Sequence, residues 1–212
     1  MDTVYLANAA TTPLRREAEA AMRRYCSDVF GNADSRHAYG RAAAAALASP
    51  RADIARCFGA APEEIYFTSG GTESDNWALK GAALAHGRGR VVISAVEHPA
   101  VYESARQLER LGFGLTVLPV DGEGFVSADD LAAVMDGVVF LVSVMSANNE
   151  TGSIQPVREL AGIAHGFGAL FHTDAVQTAG ALPVSVKEIG ADMLSLSAHK
   201  CGAPKDFGAL NG

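Results

Sequence analysis

The sequence predicts a three-layer α/β domain built on a mostly parallel sheet, and three observations carry that reading. Apolar runs of strand length alternate with helical patterns at short spacing, the signature of βαβ units. The run Val138-Val139-Phe140-Leu141-Val142 is apolar on successive residues, as expected where helices cover both faces of a sheet. The 212 residues are 49% hydrophobic and 19% charged, so the chain can bury a substantial core, and disorder is excluded.

The elements follow in order. Thr12-Pro13 reads as N-cap and first residue of a helix reaching Ser27, and a second helix spans Tyr39–Cys57. Its Ala42–Ala46 run is strongly helix-favouring, and Pro50 is expected to kink the helix or restart it with Ser49 as cap. Strands are expected at Ile65–Thr68, Val91–Ala95, Leu115–Val120, Val138–Val144, Ala169–Thr173 and Asp192–Ser197. Between them, Glu73–His86, Pro99–Leu111, Ala128–Met135 and Pro156–Gly166 place apolar residues at three- and four-residue steps, as amphipathic helices do. No internal repeat or flexible linker interrupts the pattern. One continuous domain is expected, residues 15–212, after an N-terminal arm of residues 1–14.

Composition narrows the partners. Seventeen Lys and Arg against 24 Asp and Glu give a net charge of −7, which lacks the clustered basic footprint of a nucleic-acid binder. The start, Met1–Leu6, has neither a basic n-region nor an apolar h-region, and no apolar run approaches the roughly 18 residues of a membrane span. A cytoplasmic protein with no membrane association is expected. The three cysteines Cys26, Cys57 and Cys201 include no C-x-x-C, so neither a disulfide framework nor a metal site is suggested.

Polar residues cluster where strands end. Ser69-Gly70-Gly71-Thr72-Glu73-Ser74 follows the first strand and Glu97-His98-Pro99 the second. Ser146–Gly152, His172–Gln177 and Ser197-Ala198-His199-Lys200 follow three of the others. The carboxyl edge of an open α/β sheet is where ligands bind, so one pocket is expected to collect all five. Taken singly, each cluster has a structural reading of at least equal weight. The glycine pair can be a tight turn with an N-cap, His98 a helix cap, Asn148 and Asn149 turn residues, Asp174 an Asx-turn and Lys200 a solvated edge lysine. Five loops delivering such groups to one edge favour the functional reading. The glycine turn then becomes an anion cradle at a helix N-terminus, distinct from a Walker A loop and from G-x-G-x-x-G.

A lysine, an aspartate and a phosphate cradle suit pyridoxal 5'-phosphate. That cofactor needs an amine for its Schiff base, a carboxylate to keep its ring nitrogen protonated and donors for its phosphate. Lys200, Asp174 and Gly71-Thr72 can supply them, with His98 and Gln177 available beside the ring.

Five long segments, namely Ser69–Asn76, Glu97–Val101, Ala147–Gly152, Phe171–Gln177 and His199-Lys200, together with Ala10–Pro13, Phe30–Asn32 and Ser35–His37, resemble the cysteine desulfurases of the NifS-like branch. The resemblance implies the large domain of a fold-type-I pyridoxal-phosphate enzyme of the class-V aminotransferase group. It implies transfer of sulfur from L-cysteine, leaving L-alanine, with an enzyme-bound persulfide passed to a scaffold protein for iron–sulfur cluster assembly, by a homodimer when full length. By position Lys200 would carry the cofactor, Asp174 would hold the ring N–H, and His98 would stack on the ring and assist proton transfer. Gln177 and Asn149 would contact the ring hydroxyl and the substrate side, while Gly71, Thr72, Ser197 and His199 would bind the phosphate.

The chain departs from the family pattern as well. Ala198 and Asp206 stand where the family has glycine, and the family's persulfide cysteine lies well beyond the lysine, whereas this chain ends twelve residues after Lys200. A C-terminally truncated large domain without the small domain is therefore expected, with six strands and an uncovered sheet edge. Cys201 is expected to face away from Lys200 along an extended chain, and Cys26 and Cys57 to be core residues. Alternatives are a non-catalytic, cofactor-binding remnant that associates with a partner, and a selenocysteine lyase or aminotransferase-like enzyme.

Overall fold

A computed structural model describes residues 4–212, and residues 1–3 of the expected N-terminal arm lie outside the described residues. Seven strands form one sheet: β1 (Ile65–Thr68), β2 (Arg90–Ser94), β3 (Gly114–Leu118), β4 (Val139–Ser143), β5 (Leu170–Asp174), β6 (Met193–Ser197) and β7 (Gly208–Asn211). Their spatial order is β1-β7-β6-β5-β4-β2-β3. The pairs from β3 through β6 are parallel, while β7 runs antiparallel to both its neighbours. The first six coincide with the expected strands to within two residues. The seventh corrects the six-strand expectation, because residues 208–211 enter the sheet interior and pair on both sides, with Gly208 opposite Thr68 and Ser197.

Helices α1 (Arg16–Ser27) and α2 (Ala38–Phe58) precede the sheet. Helices α3 (Gly71–His86), α4 (Pro99–Arg110), α5 (Ala128–Val134), α6 (Val157–Gly166) and α7 (Val186–Ile189) alternate with the strands. On one face, Leu79 of α3 and Val101 and Leu108 of α4 bury against Val91, Ile93, Leu141 and Leu210. On the other, Leu131 of α5 and Leu160 of α6 meet Val92, Val142, Val144 and Phe171. A third cluster joins Ala55 of α2 to Ile65, Leu194, Leu196 and Ala209. Every residue of β4 is buried, which explains its unbroken apolar run: helices cover both faces of this central strand. Each such Leu or Val removed from water contributes about 1.5–3 kcal/mol, so the clusters are what hold the layers together.

Two expectations of local structure are corrected and a third, at Pro50, is narrowed. Helix α1 begins at Arg16 rather than Pro13, because the Thr12 hydroxyl is engaged by His199 and Gly202 instead of capping a helix. Helix α2 passes through Pro50 without restarting. It is closed at both ends, by the His37 ring accepting from the Gly40 N–H and by Gly59 in the left-handed conformation (φ 70°), and the alanine run supports its middle. Cys26 and Cys57 are exposed rather than in the core, since α1 buries no residue and Cys57 lies on the outer side of α2. Among the described residues no helix is long and apolar enough to cross a membrane.

Candidate functional site

At the end of β1 the chain turns through Ser69-Gly70 into α3. The Glu73 carboxylate reaches back to accept the Ser69 N–H at 2.6 Å, which holds it below the usual carboxylate range, and Thr68 and Ser74 share a hydroxyl contact of 2.8 Å. The turn is thereby fixed without a side-chain cap on α3, and Gly71 and Thr72 of its uncapped first turn line the adjacent cavity. Gly71 is required there: a Cβ would lie 2.9 Å from Val176 Cγ2 and 3.5 Å from Ser197 Cβ.

At the end of β2, His98 accepts the Ala100 N–H through Nδ1 at 3.1 Å and caps α4 with Pro99 in its first turn. The capping reading is thus correct for one ring nitrogen, and the ring still borders the cavity. Asn148, after β4, is a turn residue: Oδ1 accepts the N–H groups of Glu150 and Thr151. Its neighbour Asn149 lines the cavity.

At the end of β5, Asp174 is 5% exposed, and its Oδ1 accepts the Val176 N–H at 2.8 Å. Burial raises its carboxyl above the usual range, while that N–H and the proximity of His98 and Lys200 pull it back. After β6, Ala198–Lys200 form a single 3-10 turn rather than the expected extended segment. Lys200 Nζ donates to the Ala9 carbonyl, and Gln177 Nε2 donates to the same oxygen at 3.1 Å. Burial lowers the Lys200 ammonium, and Asp174 opposes that shift.

All nine residues singled out in the sequence, Gly71, Thr72, His98, Asn149, Asp174, Gln177, Ser197, His199 and Lys200, line one cavity of about 880 Å³. That volume accommodates a cofactor together with a small substrate. None of the three cysteines belongs to the lining; Cys201 is exposed, and its thiol turns to the Ala198 carbonyl. Among the described residues no group of three or more His, Cys, Asp or Glu is placed to hold a metal ion.

Sequence reasoning missed the buried polar floor. Asp75 of α3 is 1% exposed, and its Oδ1 lies 3.7 Å from His172 Nε2. Burial raises Asp75 well above the carboxylate range, reinforced by Asp174, and lowers His172 to about 3. His172 is therefore neutral at pH 7, and the contact is not an ion pair. His172 is instead held by Ser143 Oγ at Nδ1 (2.8 Å) and Ser195 Oγ at Nε2 (3.0 Å). The signal for Asp75 was its position one helical turn after Gly71, on the face that α3 turns to the cavity. Asp206, also on the lining, adopts φ 61°, the left-handed conformation that suits the glycine usual at this place.

Comparison with known proteins agrees with this architecture. The aminotransferase class-V model matches residues 4–212. Cysteine desulfurase IscS of Dictyoglomus turgidum is 51% identical over 209 residues, covering 98% of this chain and 53% of the relative. A cysteine desulfurase of Cereibacter sphaeroides is 49% identical over 214 residues, covering 99% and 55%. The chain thus spans about half the length of the curated relatives it matches. Among solved structures, a NifS-like protein superposes with a TM-score of 0.95 at 37% identity (98% of this chain, 58% of that one). "SspA in complex with cysteine" does so with a TM-score of 0.95 at 36% identity (99% and 61%). The seven-strand sheet is that of the fold-type-I enzymes, and the chain belongs to the aminotransferase class-V family.

Proposed function

We propose that residues 1–14 are the arm, and residues 15–212 the cofactor-binding large domain, of a cytoplasmic pyridoxal 5'-phosphate-dependent cysteine desulfurase. It would take sulfur from L-cysteine, leave L-alanine and, as a homodimer, pass the sulfur to a scaffold protein for iron–sulfur cluster assembly. One observation carries the reading: Lys200, Asp174 and the open N-terminus of α3 converge on a single cavity. The desulfurases named above support the choice of reaction, and the relative solved with cysteine supports the choice of substrate.

The residues present fit the cofactor. The Gly71 cradle, which a Cβ would fill, joins a helix N-terminus to Ser197 and suits a phosphate. Asp174, buried and with one oxygen already bonded, is placed to offer its carboxyl group to a ring nitrogen, whose positive charge would favour the carboxylate form. When bound, pyridoxal phosphate supplies the electron sink that stabilises negative charge next to the substrate amino group. Lys200 holds the cofactor and, with its ammonium lowered by burial, is deprotonated more readily than a surface lysine. His98, anchored through Nδ1, keeps Nε2 free to hold or move a proton, and Gln177 and Asn149 orient the polar groups around the ring.

The cysteines favour a second, narrower reading for residues 1–212 alone: cofactor binding without efficient sulfur transfer. A thiolate must reach the substrate sulfur, and Cys26, Cys57 and Cys201 all lie off the cavity lining. The test is the visible spectrum of the purified chain with pyridoxal phosphate, before and after borohydride. A borohydride-sensitive band that disappears in Lys200→Ala is expected, and an absent band, or one unaltered in the variant, sinks the cofactor assignment. Sulfide release from L-cysteine then separates the two readings, and robust turnover by residues 1–212 overturns the narrower one.

A further inference from the structure

The turn that carries Lys200 leaves the sheet at Ser197 and is closed internally by the Cys201 and Ala203 N–H groups, both donating to the Ala198 carbonyl. Neither bond crosses to another element; the Ala198 N–H is held by the Phe207 carbonyl at 2.9 Å, which anchors the start of the turn but not His199 to Gly202 around Lys200. The N-terminal arm holds that stretch at Thr12. Its backbone N–H donates to the His199 carbonyl at 2.9 Å, and its hydroxyl donates to the same oxygen at 2.8 Å. The same hydroxyl accepts the Gly202 N–H at 2.8 Å, and the Arg15 N–H donates to the Gly202 carbonyl at 2.9 Å. Among the described residues, Thr12 is the one side chain that bonds the backbone on both sides of Lys200. The close approach also constrains Gly202, which has φ 84° and whose added Cβ would lie 2.6 Å from the Arg15 side chain. Neighbouring Thr11 meets His199 Nδ1 at 3.0 Å, and the carbonyl of Ala9 takes the Lys200 amine itself.

We infer that Thr12 is a positioning residue: its hydroxyl staples His199 to Gly202 and so fixes the turn from which Lys200 enters the cavity. This deepens the proposed function and rests on it for the role of Lys200. One O–H and one N–H bond are satisfied by a single oxygen 187 to 190 residues away in sequence. Without that oxygen, the Gly202 N–H and one acceptor site on the His199 carbonyl lose their partner, and the turn gains freedom that must be lost again whenever Lys200 engages a ligand.

Two measurements on Thr12→Val, Thr12→Ala and Thr12→Ser test this. The first is pyridoxal-phosphate titration followed by the visible band. Loss of two hydrogen bonds of ordinary strength predicts about tenfold weaker binding in Thr12→Val and Thr12→Ala. Thr12→Ser is expected to restore binding to within about twofold, because it keeps the hydroxyl. The second needs no cofactor: the rate of acetylation at Lys200 is measured against pH by mass spectrometry, with Lys187 as internal reference. A loosened turn exposes the amine, so its midpoint is expected to rise toward the ordinary lysine value in Thr12→Val and Thr12→Ala but not in Thr12→Ser. Parent-like titration and parent-like labelling in Thr12→Val overturn the inference. So does a Thr12→Ser chain as impaired as Thr12→Val, or failure of both Thr12→Val and Thr12→Ala to fold, which would make the residue merely structural. If the parent binds no cofactor, the proposed function falls while the labelling still decides the role of Thr12.

Discussion

Glu97 accepts the backbone N–H of Met145 at 2.7 Å, tying the end of β2 to the chain leaving β4 through a fully buried carboxyl. Ser94 donates to the same oxygen at 2.6 Å, while Oε2 has no hydrogen-bond partner. Burial outweighs these bonds and pushes Glu97 up to about 8, so it is protonated in the fold at neutral pH.

Stability is therefore expected to fall as pH rises from about 4.5, where unfolded Glu97 releases its proton, and to level off above about 8, where folded Glu97 releases its own. Glu97→Gln removes this segment of the curve. Urea unfolding at pH 5, 7 and 8.5 is expected to show a flatter profile in the variant and a relative gain at pH 8.5. An equal slope in both chains contradicts a buried, neutral Glu97.

His172 acts in the opposite direction. Its folded value is lowered to about 3 against an ordinary 6.5, so it stays neutral in the fold while the unfolded chain takes up a proton. Stability contributed by neutral His172 is complete above pH 6.5 and is lost as pH falls toward 3. His172→Leu abolishes that acid limb. At pH 7 it costs about 2–4 kcal/mol, because the hydroxyls of Ser143 and Ser195 lose a buried partner. Denaturant titrations from pH 4 to 7 measure both effects.

At the cradle, Gly71→Ala places a methyl 2.9 Å from Val176 Cγ2, tighter than van der Waals contact permits. We expect about tenfold weaker pyridoxal-phosphate binding, equivalent to roughly 1.4 kcal/mol. Because the obstructing atom is the end of a side chain, Val176→Ala in the same chain is expected to recover most of the loss. A double variant as weak as Gly71→Ala alone shows that the methyl obstructs the ligand itself.

Gly208→Ala is expected to be more damaging. The new Cβ would lie 2.7 Å from Gly70 Cα and 2.7 Å from the Leu196 carbonyl, and backbone on both sides leaves no flexible group to move aside. A loss of about 2–4 kcal/mol is expected from overpacking, read as a lowered melting temperature. Phosphate affinity is expected to fall with it, since Gly70 leads into the cradle.

Much of this site was legible in the sequence because its residues sit at strand ends, and strands announce themselves locally by apolar runs. Lys200 and Asp174 are separated by 26 positions, but each follows a strand, so the topology of a parallel sheet brings them together. What could not be read depends on contacts between remote segments. The insertion of Gly208–Asn211 between β1 and β6, the bond from Thr12 to His199 and the delayed start of α1 all follow from pairings across most of the chain. Cys26 and Cys57 misled for a related reason: cysteine is commonly buried, but which side of a helix is covered depends on its neighbours.

The antiparallel strand β7 also dictates an order of assembly. Strands β2 to β6 can pair progressively as they leave the ribosome, whereas β1, and with it the glycine turn entering α3, has β7 as its sole sheet neighbour. Asn211 bonds back to the Glu64 carbonyl across 147 residues. Until that segment emerges, the phosphate cradle and the lysine have no fixed separation, and β1 is an orphaned hydrogen-bonding edge open to aggregation. A nascent chain stalled short of residue 208 would thus be a client for chaperones, with every residue proposed to contact the cofactor already synthesised but the glycine turn not yet held against the rest of the sheet.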